Sequence, residues 1–249
     1  MVKQFEVRWE GALPAAPQDV WDAITRRADG YLWAIDYEPW VGGAERGLTA
    51  GRGTVTAWEP PRRFATRTRP ETERDGLNEI AYALEPLNGG ATLLRYRHRS
   101  EVPAEDFDVQ LAMCRAHTSF YQHSLGQYAC FFAGREPVYV SVEAPAPSVD
   151  GGFARLRAAL GVPADAVAGD PVRLEPDGLE PIDGVIDYAT GPFLGIRTAD
   201  ALLRLYGRDT WGWPAAVAHH LFAPGADPAT SRQAWERWVA GVFESEQVA

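Results

Sequence analysis

The sequence predicts an α+β fold in which a curved antiparallel sheet wraps onto a long C-terminal helix, and it predicts this unit twice in tandem. Three observations support this prediction. Short strands alternate apolar and polar residues, one long amphipathic helix follows them, and the second half repeats the order of the first. The chain has 249 residues, of which 46% are hydrophobic, and this is enough apolar material for two cores. We expect a complete domain over residues 1–136 and a shortened one over residues 137–249.

The first half begins with a strand and a helix, and a series of strands follows. Apolar residues alternate over residues 5–9, while Pro17 and Gly30 fit the first turn and the end of a helix. Residues 31–52 form a Gly- and Trp-rich passage. The predicted strands and turns after it are bounded by Gly, Pro and Asn. The strands cover residues 53–58, 63–69, 79–84 and 92–99, and the turns cover residues 59–62, 75–76 and 88–90.

The alternation gives the predicted sheet one covered face and one wet face. Tyr82 and Tyr96 fall on the covered side, whereas Arg95 and Arg97 fall on the wet side. The cover is a helix over residues 108–134, ~37 Å long if ~25 residues are helical, which is enough to cross the sheet. Its apolar stripe contains Leu111, Cys114, Thr118, Tyr121, Leu125, Tyr128 and Phe132. A helix that grips a curved sheet leaves a cleft, and that cleft is the natural ligand site.

The second half repeats the pattern of the first in a shorter form. Residues 138–161 follow the strand–helix pattern of residues 5–30, with Ser148 as the expected N-cap, and residues 184–198 follow the strand–turn–strand pattern of residues 53–68. Two more strands and a helix over residues 231–245 close the unit. We expect it to be a structural partner without a full pocket of its own, with its tryptophans packed in its own core or against the first unit. These are Trp211, Trp213, Trp235 and Trp238.

Several short motifs of the first half share an order. They are Trp33 or Trp40 after the first helix, G-T-V at 53–55, E-P-P-R-R at 59–63, L-E-P at 84–86, and a T-x-L-x-Y-x-H strand from Thr92 to His98. In this order they resemble the heat-shock-90 ATPase activator homologue family of the SRPBCC superfamily. The resemblance spans most of residues 5–134 and implies the helix-grip (START/Bet v-like) fold with its pocket, since members share a pocket and not a reaction. The tandem arrangement also resembles, in architecture alone, the didomain aromatase/cyclases of aromatic polyketide pathways.

The cleft is expected to hold its ligand with polar tips on apolar walls. Tyr82, Tyr96 and His98 are predicted to point toward the helix, and the helix residues to point back toward the sheet. The alternative is that these are core aromatics with backbone hydrogen-bond partners. The predicted ligand-binding residues are Trp33, Trp40, Arg67, Tyr82, Tyr96, His98, His117, Tyr121 and Tyr128.

No catalytic or metal-binding set is predicted. Cys114 and His117, at i and i+3, are close enough to touch, but no third group orients them, and a cysteine in a helix stripe usually packs. His117 and His123 fall on different helix faces, and the neighbouring pair at 219–220 points to opposite sides of a strand. A Gly-rich phosphate loop is also missing, so we expect no cofactor. Acid–base chemistry by His98, Arg67 or Tyr82 stays open.

Composition narrows the partners. The net charge of −10 argues against nucleic acid, and charged residues or His interrupt the apolar runs, so no membrane span is expected. Without a signal-peptide block a cytoplasmic location is expected, and a single lysine among many arginines suggests a bacterial source. Cys114 and Cys130, ~24 Å apart on one helix, cannot pair and are expected to be buried thiols. A homodimer stays open.

Three functions compete at this point. The first is a carrier or sensor of a hydrophobic small molecule, which predicts a pocket with few ionisable groups. The second is a polyketide cyclase- or aromatase-like enzyme, which predicts a group with a shifted pKa in that pocket. The third is a chaperone-partner domain, implied by the family resemblance, which predicts an exposed apolar patch on the outer face of the sheet.

Overall fold

The computed structural model describes residues 1–48, 53–68 and 77–244. The chain divides into two compact units, Met1–Arg135 and Glu136–Ala249. Each unit has one antiparallel sheet and a long helix at its C-terminal end, so the predicted tandem α+β helix-grip fold is confirmed. The turn predicted at residues 75–76 lies outside the described residues, as does part of the Gly-rich passage.

The sheet of the first unit has seven strands in which the first strand pairs with the last. The strands are β1 (Val2–Leu13), β2 (Asp36–Tyr37), β3 (Ala44–Arg46), β4 (Gly53–Glu59), β5 (Arg63–Thr68), β6 (Asn78–Pro86) and β7 (Thr92–Pro103). Their order across the sheet is β1-β7-β6-β5-β4-β3-β2. Strands β1 and β7 are longer than their alternation predicts, because they pair without a break from Val2 opposite Pro103 to Leu13 opposite Thr92.

Two helices of the first unit pack on one face of this sheet. Helix α1 (Pro17–Arg26) has Pro17 in its first turn and buries Val20, Trp21 and Ile24. Helix α2 (Phe107–Phe131) is 25 residues long and follows β7. Gly30 is required beneath the end of α2, because a Cβ there would lie 2.6 Å from the ring of Tyr128.

The passage before β4 is ordered around a buried carboxylate. Glu45 is 2% exposed, and it accepts hydrogen bonds from Thr68 Oγ1 at 2.7 Å and from the backbone N–H of Leu48 at 2.9 Å. The first bond joins the loop to strand β5, and the second closes the turn after Glu45. They hold the stretch from Tyr31 to Leu48 as one wall of the unit, where the sequence showed only a Gly- and Trp-rich composition.

The second unit repeats this topology with one strand fewer. Its strand order is β8-β13-β12-β11-β10-β9, so here too the first strand pairs with the last. The strands are β8 (Val138–Glu143), β9 (Pro171–Leu174), β10 (Ile182–Thr190), β11 (Phe193–Arg197), β12 (Ala201–Tyr206) and β13 (Ala216–Leu221). Helices α3 (Gly152–Ala159) and α4 (Pro228–Glu244) occupy the positions of α1 and α2 along the chain. Strand β9 has no counterpart in the sequence prediction.

Three local expectations are corrected. Ser148 is not an N-cap: it lies in a short 3-10 helix and its Oγ accepts from the backbone N–H of Ala215, while α3 begins after Gly151, whose φ is 72°. Trp213 is 47% exposed, because it follows the surface turn at Gly212 and does not enter the core. Cys130 is exposed, although Cys114 on the same helix is half-buried. Trp235 and Trp238 are buried as expected.

Within the described residues, no helix combines the length and the apolar character needed to cross a membrane.

Candidate functional site

A cavity of about 330 Å³ lies in the first unit between the sheet and helix α2. Its walls come from three parts of the unit: the inward face of β1, β6 and β7, the loop between α1 and β4, and the facing side of α2. The sheet supplies Phe5, Asn78, Ile80, Tyr82, Tyr96, His98 and Ser100. The loop supplies Leu32, Trp33, Tyr37 and Leu48, and the helix supplies Gln110, Met113, Cys114, His117, Thr118, Tyr121 and Gln122.

The register of β6 and β7 divides the sheet wall into three levels. Asn78 lies opposite Ser100, Ile80 opposite His98, and Tyr82 opposite Tyr96. We call these the Asn78, His98 and Tyr82 levels. Because a strand rises ~3.3 Å per residue, the outer two levels are ~13 Å apart. The Tyr82 level is the most buried, since Tyr82 is 5% and Tyr96 8% exposed.

Neutral phenols and an amide form the Tyr82 level. The Tyr82 hydroxyl is hydrogen-bonded to the side chains of Tyr31 and Gln122, and burial raises the pKa of Tyr82 to about 12. Burial also raises the pKa of Tyr31, Tyr37 and Tyr96 well above the ordinary value. These tyrosines therefore act at neutral pH as hydroxyl donors and acceptors, not as anions.

The His98 level contains a direct contact between sheet and helix. Cys114 Sγ lies 3.1 Å from His98 Nδ1, and burial lowers the pKa of His98 to about 4 while it raises the pKa of Cys114 to about 11. Both groups are neutral at pH 7. Cys114 is thus not paired with His117, whose Nδ1 instead contacts the carbonyl of Met113 at 2.9 Å. The i, i+3 spacing allowed a contact between Cys114 and His117. In the structure Cys114 instead faces β7, where it contacts His98.

Trp33 closes the loop side of the cavity. Its Nε1 donates to the carbonyl of Gly47 at 2.6 Å, and its ring meets the ring of Tyr121 edge-on with centroids 6.0 Å apart. The indole is therefore fixed at both ends, by the loop backbone and by the helix. This wall is rigid because Glu45 ties the same loop to strand β5.

One buried polar atom at each level has no hydrogen-bond partner among the described residues. These atoms are Asn78 Oδ1, His98 Nε2 and Gln122 Oε1. Buried polar atoms without partners are uncommon and costly in a closed core. These three residues line the same cavity, so a molecule inside it can supply their missing partners. His219 Nε2 in the second unit also lacks a partner in the described part of the chain, so it is the grouping of three such atoms around one cavity that points to a ligand.

The structure brings most of the sequence-predicted ligand-binding residues to this cavity. Trp33, Tyr82, Tyr96, His98, His117 and Tyr121 line it. Asn78, Tyr31 and Gln122 are polar groups at the site that sequence reasoning missed. The signal for Gln122 was its place four residues after Thr118 on α2, a spacing that puts both side chains on one helix face.

Three predicted residues lie elsewhere, and this corrects the expected wall. Trp40 is 53% exposed in the loop. Arg67 lies on the wet face of β5, where its Nε is 3.3 Å from Glu79. Tyr128 is 1% exposed because it packs over Gly30, and its hydroxyl donates to the carbonyl of Arg135 at 3.3 Å.

The described part of the cavity wall is uncharged, whereas the opposite face of the sheet is charged. Among the described lining residues there is no Asp, Glu, Lys or Arg, and within the same described chain no group of three His, Cys, Asp or Glu side chains is placed to hold a metal ion. On the outer face, Arg95 pairs with Glu10 at 2.6 Å and also with Glu85, and Arg99 pairs with Glu79 at 3.2 Å. The outer face is therefore a cross-strand network of ion pairs.

Comparison with known proteins agrees with this geometry. The family model described as Activator of Hsp90 ATPase homolog 1-like protein matches residues 14–128, and no curated protein matches the chain. Similar solved structures include MLL2253 from Mesorhizobium loti, at 17% identity over 49% of this chain and 95% of that chain with a TM-score of 0.42. Another is the Aha1 dimer from Colwellia psychrerythraea, at 18% identity over 50% of this chain and 96% of that chain with a TM-score of 0.42.

A further similar structure extends over both units. DynU16, from the dynemicin biosynthetic locus, is 16% identical over 98% of each chain, with a TM-score of 0.41. The family match lies within the first unit and covers α1, the sheet from β2 to β7 and most of α2. The first unit is therefore similar to the family described as Activator of Hsp90 ATPase homolog 1-like protein, as the order of its motifs predicted.

Proposed function

We propose that the first unit binds a small, mainly apolar molecule in the cavity between its sheet and helix α2, as a carrier or sensor. The observation that carries this proposal is the cavity itself, about 330 Å³ in volume, with aromatic walls and a few hydrogen-bonding groups. Ligand sites in proteins have this character: they are concave, lined mainly by apolar and aromatic side chains, and equipped with a small number of placed polar atoms.

The unpartnered polar atoms support binding over a merely structural role. A core histidine or glutamine normally finds a partner, and a buried atom left without one costs about 1–3 kcal/mol. Here Asn78, His98 and Gln122 each present such an atom, and each residue lines the cavity. An occupant that complements these atoms would remove that cost, which makes the cavity a site for a molecule with both apolar surface and polar groups.

The ionisation of the cavity favours binding over acid–base catalysis. A general base works best with a pKa near the operating pH, but the pKa of His98 is about 4 and that of the Cys114 thiol is about 11. Arg67, a candidate for such chemistry, lies on the opposite face of the sheet. The same face carries ion pairs where a chaperone-partner domain would present an apolar patch.

The proposal is tested by native mass spectrometry of the purified chain, to detect a co-purifying molecule, and by titration with the neutral fluorescent probe N-phenyl-1-naphthylamine. We expect a saturable rise in fluorescence and a melting temperature that increases with probe concentration, because a ligand that binds the native state alone stabilises it. A chain that carries no molecule and neither enhances the probe's fluorescence nor changes its melting temperature would overturn the proposal.

A further inference from the structure

We infer that the cavity selects uncharged aromatic molecules that carry hydroxyl groups, and that Gln122 and Asn78 are the acceptors that recognise those hydroxyls. This inference rests on the proposed function and specifies its ligand class. It is carried by the side chains at the Asn78, His98 and Tyr82 levels, whose unpartnered atoms are spaced along one cavity.

Gln122 has a defined orientation. Its side chain is 2% exposed and is hydrogen-bonded to the hydroxyl of Tyr82, which is also hydrogen-bonded to Tyr31. Since Gln122 Oε1 has no partner, the amide nitrogen is the atom directed at Tyr82. The Gln122 oxygen is left without a partner, and it needs a donor from the molecule that fills the cavity.

Asn78 also presents an acceptor that needs a donor, at the Asn78 level of the cavity. Its Oδ1 is buried and without a partner, and it belongs to a residue that lines the cavity opposite Ser100. With Gln122 it makes two carbonyl-type acceptors at the outer two levels, which are ~13 Å apart along the strand. Acceptors at both ends favour an elongated molecule with donor groups at its ends.

His98 favours a hydroxyl over other donors. Its Nδ1 faces Cys114, and its Nε2 is the unpartnered atom. Either the thiol donates to Nδ1, which leaves an N–H at Nε2, or Nδ1–H donates to sulfur, which leaves Nε2 as an acceptor. A hydroxyl both donates and accepts, so it satisfies either form, whereas a ketone only accepts and a protonated amine only donates.

Charge is excluded by the wall. No described lining residue carries a carboxylate, ammonium or guanidinium group, so an ionised ligand would enter without a counter-ion. A buried ion without a partner is far more costly than a buried neutral group. The aromatic rings supply the remaining preference: Tyr82 and Tyr96 lie with centroids 5.0 Å apart, and Trp33 and Tyr121 meet edge-on, which suits a flat ring system.

The test uses three molecules of nearly equal shape: 2-naphthol, naphthalene and 2-naphthoate, titrated into the full chain at pH 7 by calorimetry. We expect 2-naphthol to bind about tenfold more tightly than naphthalene, the factor that one net hydrogen bond of about 1.4 kcal/mol supplies. We expect 2-naphthoate to bind at least about tenfold more weakly than naphthalene, because its carboxylate is desolvated without a partner.

The variants Gln122→Leu and Asn78→Leu locate the acceptors, and Gln18→Leu, at an exposed position on α1, is the control. The readout is the ratio of the naphthol and naphthalene affinities, because a general disturbance of the cavity changes both affinities together. We expect at least one cavity variant to bring this ratio from about ten to near one, while Gln18→Leu preserves it. Two independent positions keep the test decisive if one variant does not fold.

The outcomes separate this inference from the proposed function. Equal affinity for naphthol and naphthalene, or an unchanged ratio in both cavity variants, overturns the inference and leaves the cavity a binding site for apolar molecules. Tight binding of 2-naphthoate also overturns it. Failure of all three molecules to bind overturns the inference. It overturns the proposed function as well only if N-phenyl-1-naphthylamine also fails to bind and no molecule co-purifies.

Discussion

The two units of this chain share one topology but differ in how their interiors are packed. In each sheet the first strand pairs with the last and the remaining strands follow in reverse order. The last strands even place a histidine at the same register position: His98 lies opposite Val7 in the first unit, and His219 lies opposite Val140 in the second. The first histidine faces a cavity, whereas the second is 0% exposed within a packed core.

The two histidines differ in the side chains that face them from the last helix of each unit, α2 or α4. In the first unit the partner of the histidine is the small Cys114, at 3.1 Å. In the second unit it is Trp235, whose ring centroid is 4.1 Å from that of His219 and 5.4 Å from that of Trp238. The histidine of the second unit is thus packed against indole rings, whereas that of the first unit meets a smaller side chain beside the cavity.

The largest expected effect comes from removal of Trp235. We expect Trp235→Ala to lower the free energy of unfolding by about 4 kcal/mol, the scale for a large aromatic side chain deleted from a packed core. Tyr121→Ala in the first unit, which removes a ring from the wall of an existing cavity, should cost clearly less. Urea denaturation of both variants measures the comparison. Equal costs would show that the two interiors are equally well packed.

A second contrast lies within the sheet of the second unit. Arg204 donates to both carboxylate oxygens of Asp187 at 2.9 Å, and these side chains are 0% and 4% exposed. The pair crosses over Gly195, where a Cβ would lie 2.6 Å from Arg204 Nη1. On the exposed part of the same sheet, Arg173 donates from Nη1 to both carboxylate oxygens of Asp183, at 3.0 and 2.9 Å, and it also pairs with Glu175.

These pairs should differ in their contribution to stability. We expect Asp187→Asn to cost about 3 kcal/mol or more, because it leaves a buried guanidinium without its counter-ion. Its exposed counterpart, Asp183→Asn, should cost less than about 1 kcal/mol, because solvent screens that pair. Denaturation at pH 7 gives both values, and a cost for Asp183→Asn as large as that for Asp187→Asn would contradict this distinction.

The cavity can be converted toward the filled interior of the second unit. Cys114→Trp places an indole beside the histidine, as in the second unit, and we expect it to weaken the binding of N-phenyl-1-naphthylamine by roughly a hundredfold, because the ring takes up cavity volume. Cys130→Trp, at the exposed cysteine of the same helix, is the matched control and should bind normally. Normal binding by Cys114→Trp would place the ligand elsewhere.

The sequence predicted the framework better than the interior. Alternation in β6 and β7 put Tyr82, Tyr96 and His98 on the covered face, and this follows from the two-residue period alone. The contact of Cys114 with His98 depends on where along β7 the helix α2 packs. The spacing of residues within one helix or one strand does not determine this position. Gln122 was missed because it lies beside the apolar stripe of the helix and not in it. Its role at the site depends on a hydrogen bond to Tyr82, which the sequence does not reveal.

The smallest expected effect is the contribution of His98 and His219 to the pH dependence of stability. His98 has a pKa of about 4 and His219 a pKa of about 3, both lowered from 6.5 mainly by burial. As the pH falls below 6.5, the unfolded chain takes up a proton at each position before the native chain does. Stability is therefore lost between pH 6.5 and about 4, and above pH 6.5 neither histidine contributes to the pH dependence.

Replacement of His98 should remove part of this loss. We expect His98→Asn to reduce the decrease in unfolding free energy between pH 6.5 and 4 by about 1–2 kcal/mol, a value that allows for the partial exposure of the ring. Denaturation at a series of pH values measures the slope. Saturating N-phenyl-1-naphthylamine should steepen the slope of the wild-type chain, because an occupied cavity keeps solvent from His98, and should leave that of His98→Asn unchanged. Since Trp235 already covers His219, a probe that changed the slope in both chains would act at a site other than this cavity.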